Sequence, residues 1–214
     1  RHALELGRPL EADEILRGSL ELPLSAADRF ALLSERAHAL KAADQWDDLV
    51  LVLSELAASE SDVGRLSHTE HELQLISAKW AAGYDASDLL SSLRECCAQR
   101  ASGSSHRLLA ARFAFMLADN ICEVEAAHEI YSLINGDLAA HDAPVFDRVY
   151  CRMLYNAAFG DIVAAERAAR ELNAILEERL DIREICLARA HVAEVLKESG
   201  HQGQGIALLQ RAYR

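Results

Sequence analysis

The stretch Val149–Asn173, VYCRMLYNAAFGDIVAAERAARELN, reads as helix, tight turn, helix. Before the turn, apolar residues recur at Val149, Met153, Leu154, Ala157 and Ala158, the helical period that marks one buried face. Gly160 supplies the left-handed backbone that ends a helix without a steric cost. Asp161 follows as a short acceptor able to cap the next helix, whose stripe is Ile162, Ala165, Ala169 and Leu172. Small side chains at Ala164, Ala165, Ala168 and Ala169 let two helices approach closely. Such a hairpin cannot bury its apolar face alone, so it needs neighbours of its own kind.

The neighbours are in the chain. The same small, polar, bulky turn, with a mostly small residue at a fixed offset, occurs as Gly7-Arg8-Pro9 with Ala12 and Asp44-Gln45-Trp46 with Leu49. It returns as Ala82-Gly83-Tyr84 with Ser87, Asp119-Asn120-Ile121 with Val124, and Gly200-His201-Gln202 with Gly205. With Gly160-Asp161-Ile162 included, successive turns lie about 37, 38, 37, 41 and 40 residues apart. A period in this range signals a helical repeat array.

Composition agrees. The 214 residues are 51% hydrophobic, with only 3 prolines and 10 glycines, a balance that favours helix throughout. A net charge of -12 disfavours direct binding to a nucleic acid backbone, because like charges repel. No apolar run approaches the ~20 residues of a membrane helix, and no signal-peptide pattern opens the chain. Five cysteines, an odd number without a zinc-type pair, read as reduced cytoplasmic thiols filling the core. A redox switch at the vicinal Cys96-Cys97 is the sharper alternative.

Along the chain, Pro9 suits the first turn of a helix, and Ser25 can cap one running over 26–41. Helices are expected over 46–58, 66–82, 86–99, 107–118, 123–134 and 182–199, and over about 204–213. Asn135-Gly136-Asp137 reads as a turn, and 101–105 as a short flexible linker too small to divide domains. The expectation is therefore all-α: a right-handed α-α superhelix of about five to six hairpins with incomplete end repeats. It forms one domain over 1–214. Apolar Ile206, Leu208 and Leu209 close the sequence where arrays usually carry a polar cap. A piece of a longer multidomain protein, or an end that buries against a second copy, would account for them.

The segment GDIVAAERA at 160–168 resembles the Gly-Asp-Tyr-x-x-Ala core of tetratricopeptide repeats. The likeness extends over most of the chain as degenerate turns, with a longer period than the usual repeat and without its closing proline. Long degenerate repeats of this kind are similar to the sensor arrays of bacterial transcription activators of the maltose-activator type. They are also similar to arrays attached to diguanylate cyclase or kinase output domains. The resemblance implies a solenoid that binds a protein, a peptide or a small inducer. Only Lys41, Lys79 and Lys197 of the 22 basic residues are lysine, a bias that goes with a bacterial coding sequence.

In tetratricopeptide-like stacks the first helix of each hairpin lines the concave face. Counting back from the expected turns puts Ser34, His38 and Lys41 there, then Glu72 and Lys79. Phe113, Tyr150 and Leu154 follow, and then Glu194 and Lys197. On this register all three lysines fall at one repeat position. They either complement helix dipoles or line a groove for an acidic ligand. Phe113, Tyr150 and Leu154 would give an amphipathic peptide an apolar patch.

No nucleophile motif or glycine-rich phosphate loop occurs, so no catalytic residue, metal ligand or cofactor is assigned. His68, His71 and Glu72 at a helix start could hold a metal, but they lack the spacing of a zinc hydrolase. The leading expectation is a non-enzymatic, cytoplasmic binding domain of a bacterial signalling or transcription regulatory protein. Self-association as a homodimer is the alternative, and a helical metalloenzyme a third reading.

Overall fold

The computed structural model describes residues 2–59, 65–99, 105–140, 143–159, 161–177 and 182–212, without the side chains of 2, 5, 65–70, 105, 182–184 and 212. The helices are α1 (His2–Glu5), α2 (Pro9–Ser19), α3 (Ala26–Ala42), α4 (Trp46–Ser59), α5 (Arg65–Ala81) and α6 (Ala86–Gln99). They continue as α7 (Ser105–Ile121), α8 (Val124–Ala139), α9 (Val145–Ala158), α10 (Ile162–Glu177), α11 (Ile182–Glu198) and α12 (Gln202–Ala212). Among the described residues there is no strand, and no helix is long and apolar enough to cross a membrane.

One turn recurs. Gly7, Asp44, Gly83, Cys122 and Gly200 all have left-handed φ, between 54° and 92°. Each donates its N–H to the carbonyl three residues back, and the next residue donates to the carbonyl five back. At Gly7 the pairs are Gly7 to Leu4 (3.0 Å) and Arg8 to Ala3 (2.9 Å); at Gly200 they are Gly200 to Lys197 (3.1 Å) and His201 to Leu196 (2.7 Å). This is the Schellman arrangement, which satisfies the last carbonyls of a helix and reverses the chain. Gly160, expected to be another such residue, lies outside the described residues.

The turns correct the register read from sequence. The third left-handed residue is Gly83 rather than Ala82, and the fourth is Cys122 rather than Asp119. Gly7, Asp44, Gly83 and Cys122 are then 37, 39 and 39 residues apart, and Gly200 follows after 78, two repeats. The small buried residue after the fourth turn is Ala127, while Val124 is exposed. After the third turn Asp85 is inserted, and its carboxylate caps α6 by accepting from the N–H groups of Ser87 (2.9 Å) and Asp88 (3.2 Å). The buried position therefore moves to Leu89, leaving Ser87 exposed.

Other caps follow expectation. Pro9 opens α2, Ser25 Oγ accepts from Asp28 N (3.1 Å), and Asp161 Oδ1 accepts from Ala164 N (2.9 Å). Asn135-Gly136-Asp137 is not a turn: α8 runs through it to Ala139. Asp137 points inward to pair with Arg107 (3.3 Å), which fixes the residue in the helix.

The helices form two compact units, Arg1–Leu89 and Leu90–Arg214. In the first, Leu33, Leu40, Leu53 and Leu56 fill the seam between α3 and α4, joined by Ala78 of α5. Ala12 and Leu16 of α2 meet Ala39 of α3, and the largely buried Asp13–Arg36 pair (2.7 Å) ties these helices together. In the second unit, Ala165, Ala168 and Ala169 of α10 pack with Val149 and Met153 of α9, as their small size allows. Ala188, Val192 and Leu196 of α11 extend that core to Leu208 of α12. A Cβ at Gly205 would lie 2.6 Å from the Ala193 carbonyl, so α12 crosses α11 at a distance only glycine permits.

Candidate protein-interaction surfaces

In the first unit, His38 and Lys41 are exposed one turn apart on α3. Ser34 is half-buried and donates back to the Phe30 carbonyl (3.0 Å). On α5, Glu72 and Lys79 are half-buried, and the Lys79 ammonium lies 6.0 Å from the Tyr84 ring centroid. The corrected register separates the lysines. The carbonyls of Lys41 and Lys197 accept from the left-handed residue, whereas that of Lys79 accepts from the residue after it. The three do not share one repeat position, and the matching residue on α5 is Trp80.

In the second unit, Glu194 and Lys197 are exposed, and Phe113 is half-buried. Leu154 is half-buried against the core. Tyr150 is only 1% exposed, so it offers no docking surface. It sits at the centre of a buried polar group. The Arg112 guanidinium lies 4.4 Å from the Tyr150 ring and 5.3 Å from that of Phe146, and pairs with Asp147 at 2.9 Å. The Tyr150 hydroxyl meets Nδ1 of His191. Burial, and secondly the Arg112 charge, hold His191 below the ordinary imidazole range. This is the apolar, charge-crossed interior of a repeat, where a cation is tolerated because aromatic faces and a carboxylate surround it.

Among the described residues the histidine-metal reading gains no third ligand. The His68 side chain lies outside the described residues, and His71 packs edge-on to Phe30 at 5.8 Å. Among the described residues no three His, Cys, Asp or Glu side chains gather as a metal site. Cys96, Cys97 and Cys151 are buried. Burial pushes the Cys97 thiol up to about 12, and raises Cys151 as well. Core thiols so far from ionisation are poor nucleophiles, which argues against the Cys96-Cys97 switch.

An aromatic cluster that the repeat register did not single out lies on α8 and α9. Tyr131 and Tyr155 are stacked, with centroids 3.8 Å apart and planes at 16°. His128 Nδ1 is 2.7 Å from the Tyr155 hydroxyl, and its ring also meets Phe159 at 5.5 Å. Buried Phe115 of α7 forms the floor, 5.5 Å from Tyr155. His128 is exposed; Tyr131, Tyr155 and Phe159 are half-exposed. Burial, with Tyr131 second, raises the Tyr155 hydroxyl above its ordinary value, so it stays a neutral hydrogen-bonding group. The sequence does carry a signal: His128 and Tyr131 stand at i, i+3, and Tyr155 and Phe159 at i, i+4, each pair on one helix face.

Two grooves run between second helices of successive hairpins. The α6/α8 groove holds the exposed Arg94–Glu129 pair (2.6 Å), with Glu95 and Leu133. The α10/α12 groove, about 370 Å³, is lined by Arg170, Asn173, Gln204 and Arg211 over Leu196, Ala207 and Leu208.

Antiparallel helix pairs closed by one repeated turn define a tetratricopeptide-like helical-repeat fold. Solved structures bear this out. A tetratricopeptide repeat protein from Parabacteroides merdae superposes with a TM-score of 0.62 at 11% identity, over 99% of this chain and 75% of that one. BtubC (BKLC) from P. vanneervenii gives 0.57 at 12% identity, over 96% and 87%. The nearly identical TPR-like repeats of a putative kinesin light chain from Podosopora anserina give 0.55 at 16% identity, over 89% and 96%. No protein-family model and no curated protein sequence matches the chain.

Proposed function

We propose that this chain is a non-catalytic docking domain for a protein or peptide, and that the 90–214 unit grips its partner through His128, Tyr131, Tyr155 and Phe159. The fold supports a scaffold role, since stacked helical repeats expose extended surfaces for partners. The observation that carries the reading is the half-exposed aromatic stack. Tyrosine and phenylalanine concentrate in the fully desolvated centres of interfaces. Rings already held by packing lose little rotamer freedom when a partner arrives. His128 and the Tyr155 hydroxyl add polar handles beside the apolar faces.

Within the first unit, exposed His38 and Lys41 on α3, with half-buried Ser34, Glu72 and Lys79, are further candidate contacts; within the second, exposed Glu194 and Lys197 on α11, with half-buried Phe113 and Leu154, are others. The wider role is regulatory, in a bacterial signalling or transcription protein whose partner or small inducer biases an attached output domain. The arginine-rich basic set fits that source, and five free thiols fit a reducing cytoplasm. Self-association is a second reading, supported by Ile206, which is 51% exposed on α12. Light scattering separates it: a strict monomer at high concentration removes the dimer.

The main reading is tested by selecting a displayed peptide library on the whole chain. The selected peptides are then measured by fluorescence polarisation against wild type, His128→Ala and Tyr131→Ala. Loss of one interface anchor should weaken binding about tenfold or more. Selected peptides that bind both variants as tightly as wild type would contradict it.

A further inference from the structure

The α10/α12 groove stands out on a chain of net charge -12. The α6/α8 groove contains Glu95 and Glu129, and the cleft beside Lys197 contains Glu194 and Glu198. The lining between α10 and α12 contains two arginines, two amides and no carboxylate. Its floor is apolar, with Leu196 and Leu208 buried. Gly205 sets its depth by letting α12 settle onto α11.

The polar groups are partly committed. Glu166 takes one edge of the Arg170 guanidinium, from Nε (2.9 Å) and Nη2 (2.8 Å). Nη1 of Arg170 reaches across the groove to Gln204 Oε1 at 3.5 Å, a long contact. Opposite, Arg211 makes no ion pair among the described residues, and the half-buried Asn173 amide makes no hydrogen bond among them. Among the described residues, a guanidinium without an ion pair, an amide without a hydrogen bond and a weakly engaged third donor thus line one apolar-floored groove.

We infer that this groove binds a small organic oxyanion carried on a short apolar body. The head group lies between Arg170 and Arg211, with Asn173 as a further donor, and the body rests on Leu196, Ala207 and Leu208. Guanidinium N–H groups match the paired oxygens of carboxylate or phosphate. The volume of about 370 Å³ falls within the usual range of small-molecule sites. A bound anion would join α10 to α12 and so couple the last two hairpins. The site does not depend on the aromatic cluster of α8 and α9, and either can fail without the other.

The test is side-chain NMR of the whole chain, following Arg Nε–H and Asn and Gln amide signals. Hexanoate, acetate and inorganic phosphate are titrated separately at constant ionic strength. Hexanoate should shift Arg211 and Asn173 signals to saturation, with a Kd at least about tenfold below that of acetate, because only it covers the apolar floor. Phosphate binding tighter or weaker than acetate identifies which oxyanion the head site prefers. Arg211→Ala, at an exposed position, should raise the hexanoate Kd about tenfold or more while the backbone spectrum stays folded. Arg211→Lys should restore only part of the affinity, since it keeps charge but loses the planar donor pair. Linear, unsaturable shifts for every probe would overturn the inference. So would hexanoate binding no tighter than acetate, or Arg211→Ala binding hexanoate as wild type does.

Discussion

Gly205→Ala should destabilise the 90–214 unit, against the ordinary rule for glycine inside a helix. At an exposed helical position Gly→Ala stabilises by about 0.5–1 kcal/mol, because glycine gives the unfolded chain more freedom. Gly136 on α8 is such a position: it is exposed, and an added Cβ meets nothing within 4 Å. At Gly205 the added Cβ would stand 2.6 Å from the Ala193 carbonyl oxygen and 2.6 Å from Lys197 Cγ. The lysine stem can swing aside. The carbonyl belongs to the backbone of α11 and cannot yield without moving that helix. Overpacking of this sort costs about 1–3 kcal/mol, leaving a net loss of up to about 2.5 kcal/mol after the propensity gain. For a chain of this length each kcal/mol shifts Tm by about 2–4 °C. Urea and thermal unfolding should be followed by far-UV circular dichroism, since Trp46 and Trp80 both lie in the 1–89 unit. The expected result is a midpoint raised in Gly136→Ala and lowered in Gly205→Ala. A rise of similar size in both would refute the close crossing of α11 and α12, and with it the depth assigned to the α10/α12 groove.

Asp147→Ala removes the carboxylate beside buried Arg112, and should destabilise by about 3–5 kcal/mol in urea titrations, because taking away one partner of a buried ion pair costs more than the intact pair contributes. His191 titrates below its ordinary 6.5 in the folded chain. The unfolded chain therefore takes up that proton first, and this contribution to stability is intact above about 6.5 and falls as pH drops below it, until folded His191 protonates too. Urea midpoints near neutrality and about one unit below 6.5 should differ less in His191→Gln than in wild type. Native alkylation read by mass spectrometry should modify exposed Cys122 rapidly, and Cys96, Cys97 and Cys151 only after denaturation. Asp44→Gly and Cys122→Gly should each raise stability by about 0.5–1 kcal/mol in thermal melts, since glycine relieves the left-handed backbone at those turns.

The helices were legible because their apolar residues keep one period. Val149 and Met153, and Ala165, Ala169 and Leu172, are buried as that pattern requires. Turns were legible where glycine or an acidic residue marks them, at Gly7, Asp44 and Gly200. Cys122 adopts the same conformation with no local signature, and the inserted Asp85 lengthens one turn by a residue. Those two features moved the register after the third and fourth turns, while counting from Ala82 instead of Gly83 produced the apparent alignment of Lys79 with Lys41 and Lys197. Gly136 misled in the opposite sense, since a glycine on the exposed side of a long helix costs too little to end it. Counting back from the turn puts Tyr150 on an open face, but it is buried. Its burial follows from Arg112, Asp147 and His191, which are 35 or more residues apart in pairing and meet only in three dimensions. The aromatic cluster and the α10/α12 groove join residues of different helices in the same way.

The docking account rests on rings that sit ready-stacked at the surface of α8 and α9. Aromatic ¹H–¹³C spectra of the whole chain, recorded while a library-selected peptide is added, test it most directly. The account predicts that signals of His128, Tyr131, Tyr155 and Phe159 shift first and saturate together. Saturating binding that leaves all four unmoved would place the partner elsewhere and contradict it.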